Sequence, residues 1–292
     1  MGTLVVMRYP TRLFLGAADH TYVQCDTGGK AWSCWGGKTG GTALRSGTGS
    51  TRRANAIAEP NERGGITCYL INGVCHQAAN RILFPAGILV LGARGYGLSS
   101  AIYGPYGRTS GPLGTCPAPF HRHSGVTGDL PECAAPTPRG ARPRGGRGRS
   151  ASDDRERRYL GDVLALYAGA ERRMARERRL ARPDLERFMT ALFARQVDFA
   201  LGPKVKKAVA QKLREVRLGV ERSRAEIDDA FTQGKLKAAE FVKALDERIN
   251  AFQRVAAEIL EADQYQALFD LEPGEPVTLA DPDIVKQAYP DQ

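Results

Sequence analysis

One short segment of the sequence combines a potential nucleophile with a predicted helix start. The pair Asn72-Gly73 predicts a turn, and residues 74–83 predict a short helix that ends before Pro85. Cys75 then lies in the first turn, where unpaired backbone N–H groups and the positive end of the helix dipole favour a thiolate over a thiol. Because the thiolate is the nucleophilic form, Cys75 is a candidate catalytic residue. The alternative is that Cys75 is a small buried core residue.

A thiol nucleophile needs an imidazole to accept its proton, and the sequence holds four histidines. His76 follows Cys75 directly, and neighbouring side chains on a helix point about 100° apart, so His76 is poorly placed as the base. His121 and His123 lie in a Pro- and Gly-rich stretch that predicts a loop. His20 begins a strand-like run that would hold an imidazole firmly, so elimination favours His20. A purely structural role is the alternative for His20.

A histidine at a strand start, followed much later by a cysteine at a helix start, resembles the circularly permuted papain-like superfamily. That group includes permuted NlpC-type and lecithin:retinol-acyltransferase-like enzymes, and the resemblance covers about residues 10–105. It implies that Cys75 attacks an amide, thioester or ester carbonyl while His20 accepts and returns the proton. It also implies that the backbone N–H of Cys75 stabilises the oxyanion. The sequence lacks the Asn-Cys-Glu-His context of the acyltransferase branch, and no residue stands out as the third polar group that orients the histidine.

Four further residues are candidates for the substrate site. Trp32 and Trp35 are expected to form core or pocket wall, whereas Gln77 and Asn80 lie on the predicted helix that begins at Cys75. No cofactor is expected, and nucleotide binding by the Gly-rich residues 36–50 is rejected, because the complete Gly-x-x-x-x-Gly-Lys-Ser/Thr pattern of a phosphate-binding loop is absent. No metal is expected either.

A zinc-stabilised structural domain is a competing hypothesis for the later part of the N-terminal segment. Cys116, His121, His123 and Cys133 are ligand types that zinc accepts, although their spacing matches no standard finger.

The surrounding sequence indicates an α+β fold around these residues. Strand-like runs occur at residues 4–7, 20–25, 88–91 and 101–103, and residues 30–35 are typical of a hairpin partner. Residues 36–50 hold many glycines and predict a loop. We therefore expect a small antiparallel β-sheet packed on the helix that bears Cys75.

The composition of the chain predicts two domains and a linker. Residues 1–130 are assigned to the papain-like α+β domain, and the Arg-, Gly- and Pro-rich residues 131–152 to a linker. Residues 153–292 are assigned to an all-α helical bundle or coiled domain, because apolar residues recur there at helical spacing. The clearest apolar stripe consists of Phe241, Leu245, Ile249, Phe252, Val255 and Ile259.

The charged residues of this helical part alternate in sign, which predicts a solvated face with ion pairs four residues apart. The part holds no cysteine and no histidine. We expect it to serve in dimerisation, in docking a protein partner, or in covering the site of the N-terminal domain.

The net charge of +10 is concentrated in the first part of the chain. Residues 1–150 hold 17 lysines and arginines against 6 aspartates and glutamates, and five of the arginines lie within residues 139–149. A flexible basic segment can contact nucleic acid or an acidic surface without sequence preference, or it can be merely solvated. The alternative function is therefore a non-enzymatic interaction protein with a helical docking domain. No signal peptide or membrane-spanning segment is recognisable, which predicts a cytoplasmic location.

Overall fold

The computed structural model describes residues 1–10, 18–26, 31–32, 37–58, 69–108, 151–177, 180–278 and 282–289. It confirms the α+β class, with a small antiparallel sheet followed by a mostly helical region. The strands are β1 (Gly2–Pro10), β2 (Asp19–Cys25), β3 (Ala31–Trp32) and β4 (Thr42–Gly49). The first three helices are α1 (Thr51–Ala58), α2 (Cys75–Leu83) and α3 (Tyr96–Tyr103). The later helices are α4 (Ala151–Glu177), α5 (Arg182–Leu201), α6 (Lys207–Thr232), α7 (Ala238–Ile259), α8 (Ala262–Phe269) and α9 (Pro282–Ala288).

The four strands form an antiparallel sheet in the order β3-β2-β1-β4. Leu4 and Val6 of β1 lie opposite Cys25 and Val23 of β2, and all four side chains are buried on one face. The helix α2 packs on β2 at this face, and Ile82 of α2 belongs to the same apolar cluster. The expected sheet with a Cys-bearing helix is therefore present, and the predicted helix at residues 74–83 is confirmed with a start at Cys75.

Three sequence assignments around the sheet are wrong. The predicted loop at residues 36–50 contains β4, whose glycines permit close packing: a Cβ on Gly49 would lie 2.8 Å from the backbone nitrogen of Ala86. Residues 88–91, predicted as a strand, have no partner strand among the described residues, and Val90 donates its N–H to the Asn80 side chain, at 2.8 Å. The predicted strand at residues 101–103 is the last turn of α3. In each case the local pattern was apolar or Gly-rich, and packing decided the conformation.

The core of the C-terminal helices extends into the N-terminal segment. The largest apolar cluster joins Ile71 and Ile102 of the N-terminal segment to Phe193, Phe241 and other residues of α5 to α9. A second cluster joins Leu89 and Tyr106 to α4 and α5. The division into domains 1–130 and 153–292 stays a prediction, and two apolar clusters cross its boundary. Of the predicted linker 131–152, only the last two residues are described, and they belong to α4.

Buried charges at the centre of this junction form what we call the α6 ion network. It consists of Arg108, Arg217, Glu221, Arg224 and Asp228, each at most 3% exposed. Glu221 accepts hydrogen bonds from Arg108 and from Arg217, the latter at 3.0 Å. The Arg224 Nε atom lies 3.4 Å from Asp228 Oδ2, and Arg108 Nη1 lies 3.5 Å from the same oxygen. Four of the five residues come from one face of α6.

The same arginines bind backbone carbonyls of the N-terminal segment. Arg217 donates to the carbonyls of Ala101, at 2.5 Å, and Ile102, at 2.8 Å, in the last turn of α3. Arg224 donates to the carbonyls of Leu70 and Ile71, the latter at 2.9 Å. Because carbonyls at a helix end or in a turn have no partner within their own element, these side chains satisfy groups that burial would otherwise leave unpaired.

The expectation that charges of the helical part lie on a solvated face is wrong for this face of α6. The spacing of four residues between Arg217 and Glu221, and between Arg224 and Asp228, was taken as a surface pattern, yet all four side chains are buried. Burial alone would raise the pKa of Glu221, but the charges of the three arginines outweigh it and lower that pKa. For Asp228, burial outweighs the nearby arginines, and its pKa is raised.

Within the described part of the chain, no helix is long and apolar enough to cross a membrane. The only large hydrophobic side chain that is exposed among these residues is that of Met1.

The contact between α3 and α8 provides a test of the shared core. A Cβ on Gly97 would lie 2.3 Å from the Leu268 carbonyl oxygen, and Gln196 of α5 donates to the carbonyls of both Gly97 and Leu268. We expect Gly97→Ala to lower the free energy of unfolding by about 1–3 kcal/mol, because the two backbones must separate. The matched control is Gly161→Ala in α4, which meets no atom within 4 Å and is expected to stabilise by about 0.5–1 kcal/mol. Equal urea denaturation midpoints for the two variants would contradict the close contact.

The α6 ion network is tested by neutralising one carboxylate. We expect Glu221→Gln to lower the free energy of unfolding by roughly 3–5 kcal/mol, because Arg108 and Arg217 would remain buried without their counter-charge. The control is Glu226→Gln on the same helix, because the Glu226 side chain is 76% exposed. This substitution is expected to change the free energy of unfolding by less than about 0.5 kcal/mol. Urea denaturation measures both, and a similar small effect for Glu221→Gln would show that the buried charges are dispensable.

Candidate active site

A tight turn places Cys75 at the start of α2. The Leu70 N–H donates to the Gly73 carbonyl at 2.9 Å, and Leu70 adopts a left-handed φ of 63°. Val74 is the extended N-cap residue, and its N–H donates to the Gln77 side chain at 3.1 Å. The helix therefore begins with Cys75, and the backbone N–H groups of its first turn remain free to interact with a nearby sulfur.

The Cys75 side chain is partly exposed and lies against the beginning of β2. Its Sγ atom is 4.0 Å from the Asp19 carbonyl oxygen. Burial raises the pKa of the thiol, whereas the N–H and hydroxyl of Thr21 and the N–H groups of His76 and Cys75 lower it. Burial outweighs these donors, so the pKa is above its ordinary value rather than below it, as the helix dipole alone had suggested. A base is therefore needed to ionise this thiol near neutral pH.

His20 lies at the same end of β2 as the Cys75 sulfur. The Asp19 carbonyl that contacts the sulfur forms the peptide bond to His20. The His20 side chain is buried, and its ring centroid is 4.9 Å from that of Tyr9, which is its register partner on β1. Burial is the largest cause of the raised pKa of Tyr9, and the charge of Cys75 raises it further. Tyr9 therefore lies near both His20, whose ring it contacts, and Cys75, whose charge acts on it.

His76 is buried and has both ring nitrogens engaged. Nε2 lies 2.9 Å from the Asp19 carbonyl, and Nδ1 lies 2.8 Å from the Ser99 hydroxyl on α3. A carbonyl only accepts, so Nε2 carries the proton and Nδ1 accepts from Ser99. Burial lowers the pKa of His76 to about 4, against the raising effects of the Asp19 carbonyl and charge. His76 is therefore neutral near pH 7 and pins the start of α2 to β2.

The residues assigned to the substrate site lie inside the fold. Gln77 and Asn80 have no exposed surface: Gln77 donates to Ser99 and the Gly104 carbonyl, and Asn80 donates to the Pro105 carbonyl at 2.7 Å. Trp32 is 4% exposed and belongs to the core cluster under the sheet. These three side chains hold the fold and present no surface to a ligand. Trp35 lies outside the described residues.

Four residues of the site escaped the sequence analysis: Tyr9, Asp19, Thr21 and Ser99. The Asp19 carboxylate accepts from Arg8, at 3.1 Å, and from the Arg94 N–H, at 2.9 Å, and so anchors the beginning of β2. The register of the strands places Tyr9 and Thr21 at the site, and the packing of α3 places Ser99 there. Among these residues only Thr21 lies in the run that had singled out His20.

No group of three or more histidine, cysteine, aspartate or glutamate side chains able to hold a metal ion occurs in the described parts of the chain. The residues named for a zinc site, Cys116, His121, His123 and Cys133, lie outside those parts.

Comparison of the chain with protein-family models, with curated proteins and with solved structures found no match. The chemistry of this site must therefore be inferred from its own residues.

The burial of His76 generates a prediction about pH. The pKa of His76 is 6.5 without the fold and about 4 within it, so between these values the unfolded chain binds more protons than the folded protein. The free energy of unfolding is therefore expected to decrease as the pH falls from about 6.5 to 4, by up to roughly 3 kcal/mol from this residue. Chemical denaturation at a series of pH values measures the slope.

The control variant is His76→Gln, whose amide can donate and accept but does not titrate in this range. Asp270 contributes with the opposite sign, because burial raises its pKa from 3.8 to about 6. Since Asp270 is present in both proteins, the difference between the two slopes isolates His76. Identical slopes would show that His76 does not bind its proton differently in the folded and unfolded states.

Proposed function

We propose that the chain is a thiol hydrolase or acyltransferase that acts on an amide, isopeptide, ester or thioester bond, with Cys75 as nucleophile and His20 as general base. The observation that supports this most is the position of the Cys75 sulfur. It lies at the first turn of α2 and 4.0 Å from the peptide bond that links Asp19 to His20. A partly exposed thiol at a helix start, in contact with the carbonyl that precedes a histidine, supports a role in covalent acyl transfer.

The choice of His20 over His76 rests on what the His76 ring already binds. His76 has its Nε2 proton on the Asp19 carbonyl and its Nδ1 lone pair on Ser99, and its pKa of about 4 leaves it a weak base. His20 packs against the Tyr9 ring at 4.9 Å, which fixes the plane of its imidazole. His76 is therefore poorly suited as the base, which leaves His20 as the candidate among the described histidines.

In the proposed reaction, His20 accepts the thiol proton as the Cys75 sulfur forms a bond to the carbonyl carbon of the substrate. The C=O electron pair moves to the oxygen, and the backbone N–H of Cys75 lies at the helix start where this oxyanion can be stabilised. The tetrahedral intermediate collapses by breaking the bond to the amine, alcohol or thiol, which leaves with the proton from His20. The product is an acyl-enzyme thioester.

Water completes the reaction in a hydrolase, and a second nucleophile does so in an acyltransferase. His20 removes a proton from that molecule as its oxygen or nitrogen attacks the thioester carbonyl. The C–S bond breaks, the acyl group is released, and the sulfur recovers the proton from His20. Because burial raises the pKa of the resting thiol, Cys75 stays protonated near neutral pH until a base removes the proton.

The proposal predicts selective chemistry at one cysteine. We expect iodoacetamide at neutral pH to label Cys75 faster than each of the other five cysteines, as measured by mass spectrometry of the digested protein. His20→Ala is expected to slow labelling of Cys75, and to reduce turnover of peptide, isopeptide and thioester test substrates by about 10²–10⁴-fold. Cys75→Ser is expected to abolish turnover and to leave the circular dichroism spectrum unchanged.

The matched control for the base is His76→Gln, which replaces the other described histidine. It is expected to change the labelling rate of Cys75 by no more than a few-fold. Equal reactivity of all six cysteines, or a larger effect from His76→Gln than from His20→Ala, would refute the proposed pair of residues.

A further inference from the structure

The turn that leads into α2 is held from outside by residues of the C-terminal part. The Tyr69 carbonyl accepts a hydrogen bond from the Tyr289 hydroxyl at 2.9 Å. The next two carbonyls, of Leu70 and Ile71, accept from Arg224 of α6. These donors lie 153 to 220 positions further along the chain than their acceptors. Because Leu70 has a left-handed φ of 63°, which a bulky residue rarely adopts, the turn depends on contacts that hold it in place.

The Tyr289 side chain, which follows α9, has a fixed position. Its ring meets the Phe231 ring of α6 edge-on, with the centroids 5.1 Å apart and an interplanar angle of 89°. Its backbone N–H donates to the Val285 carbonyl at 2.9 Å, and Val285 is fully buried in the largest apolar cluster. Burial raises the pKa of the Tyr289 hydroxyl, which therefore keeps its proton and acts as the donor to the Tyr69 carbonyl.

A second contact joins the C-terminal part to the strand that touches the sulfur. Glu275 forms an ion pair with Arg94, and the Arg94 N–H and carbonyl both bond to Asp19 at the start of β2. The Arg94 side chain is 44% exposed, and an exposed ion pair contributes little. The hydrogen bond from Tyr289 is neutral and partly buried, so salt does not screen it as it screens an exposed pair. Of these two contacts, we expect that of Tyr289 to have the larger effect.

We propose that Tyr289 is a positioning residue of the candidate active site. Its hydroxyl fixes the Tyr69 carbonyl, and so holds the turn that places the Cys75 sulfur against the Asp19 carbonyl of β2. Tyr289 acts through the turn and not on the reacting atoms. The catalytic meaning of this inference rests on the proposed function, whereas the position of the turn is measured without a substrate.

The first test measures amide hydrogen exchange in Tyr289→Phe, which removes only the hydroxyl. Two amides report on the turn and on the start of α2: Leu70 donates to the Gly73 carbonyl at 2.9 Å, and Ala78 donates to the Val74 carbonyl at 3.2 Å. We expect both amides to exchange about two- to tenfold faster in the variant, which is the effect of losing one hydrogen bond.

The matched control is Tyr265→Phe, the same chemical change at a buried tyrosine of the helical part. The Tyr265 hydroxyl accepts from Gln253 at 3.0 Å and does not bond to the turn. Urea denaturation of both variants gives the change in overall stability, which would speed exchange throughout the protein. We expect the control to leave the relative protection of the turn unchanged, because only Tyr289→Phe loosens it locally.

The second test measures the rate of Cys75 alkylation by iodoacetamide at neutral pH. We expect Tyr289→Phe to lower this rate about two- to tenfold, because the sulfur is held less firmly beside the proposed base. In a protein that already carries His20→Ala, the same substitution is expected to have a smaller effect, since there is no base left to position the sulfur against. A merely structural role of Tyr289 would give the same factor with and without His20.

The outcomes separate this inference from the proposed function. Unchanged exchange of the Leu70 and Ala78 amides in folded Tyr289→Phe, or an equal change in Tyr265→Phe, would overturn the role of Tyr289. Faster or unchanged alkylation of Cys75 in Tyr289→Phe would also overturn it, because the hydroxyl would then not position the sulfur for reaction. Faster exchange with slower, His20-dependent alkylation, in a protein that turns over no acyl substrate, would establish the role of Tyr289 and leave the hydrolase proposal to fail alone.

Discussion

Hydrogen bonds from Arg217 and Arg224 of α6 to backbone carbonyls connect the C-terminal helices to the two segments on which the candidate site depends. Arg224 binds the carbonyls of Leu70 and Ile71, in the turn that ends at Cys75, and Arg217 binds the last carbonyls of α3, which bears Ser99. Charged donors make strong hydrogen bonds in a buried setting, and Glu221 and Asp228 balance much of their charge. The C-terminal helices are therefore part of the framework that positions the sulfur.

Burying this many charges is not by itself a source of stability. Taking an ion pair out of water costs several kcal/mol. Well-packed apolar residues of similar volume in the same place often give a protein of equal or greater stability. What the α6 ion network provides is directionality. An arginine fork specifies which carbonyls it meets, and so sets how α6 lies against α3 and the Leu70 turn. That turn includes a left-handed leucine, a conformation that costs about 1–2 kcal/mol and persists only where its surroundings hold it.

The two described histidines near the candidate site have different surroundings. His76 is enclosed between β2 and α3, with a donor on one nitrogen and an acceptor on the other, so it stays neutral and holds α2 in place. His20 packs against the aromatic ring of Tyr9 at the beginning of β2. For the Cys75 thiol, burial disfavours the anion, whereas the donors of the helix start and of Thr21 favour it. A site balanced in this way keeps its nucleophile protonated until a base removes the proton.

The sequence by itself determined the α+β class, the strands around residues 4–7 and 20–25, the helix that begins at Cys75 and the helices of the C-terminal part. These features depend on local periodicity, turn residues and capping, which involve residues close together in the sequence. It also placed Cys75 and His20 on a helix start and a strand start, where they are found. Only the tertiary structure decided that residues 42–49 form a strand, that Gln77, Asn80 and Trp32 lie in the interior, and that Tyr9, Thr21 and Ser99 reach the site.

The charged residues of α6 show the physical reason for this division. Their spacing is that of a solvated helix face, and no local rule distinguishes it from a buried one. Arg217, Glu221, Arg224 and Asp228 are buried because carbonyls and an arginine more than a hundred residues away in the chain offer them partners. A polar side chain can be buried only where a hydrogen-bond or ion-pair partner is present. The overall fold, rather than the neighbouring residues in the sequence, determines whether such a partner is present.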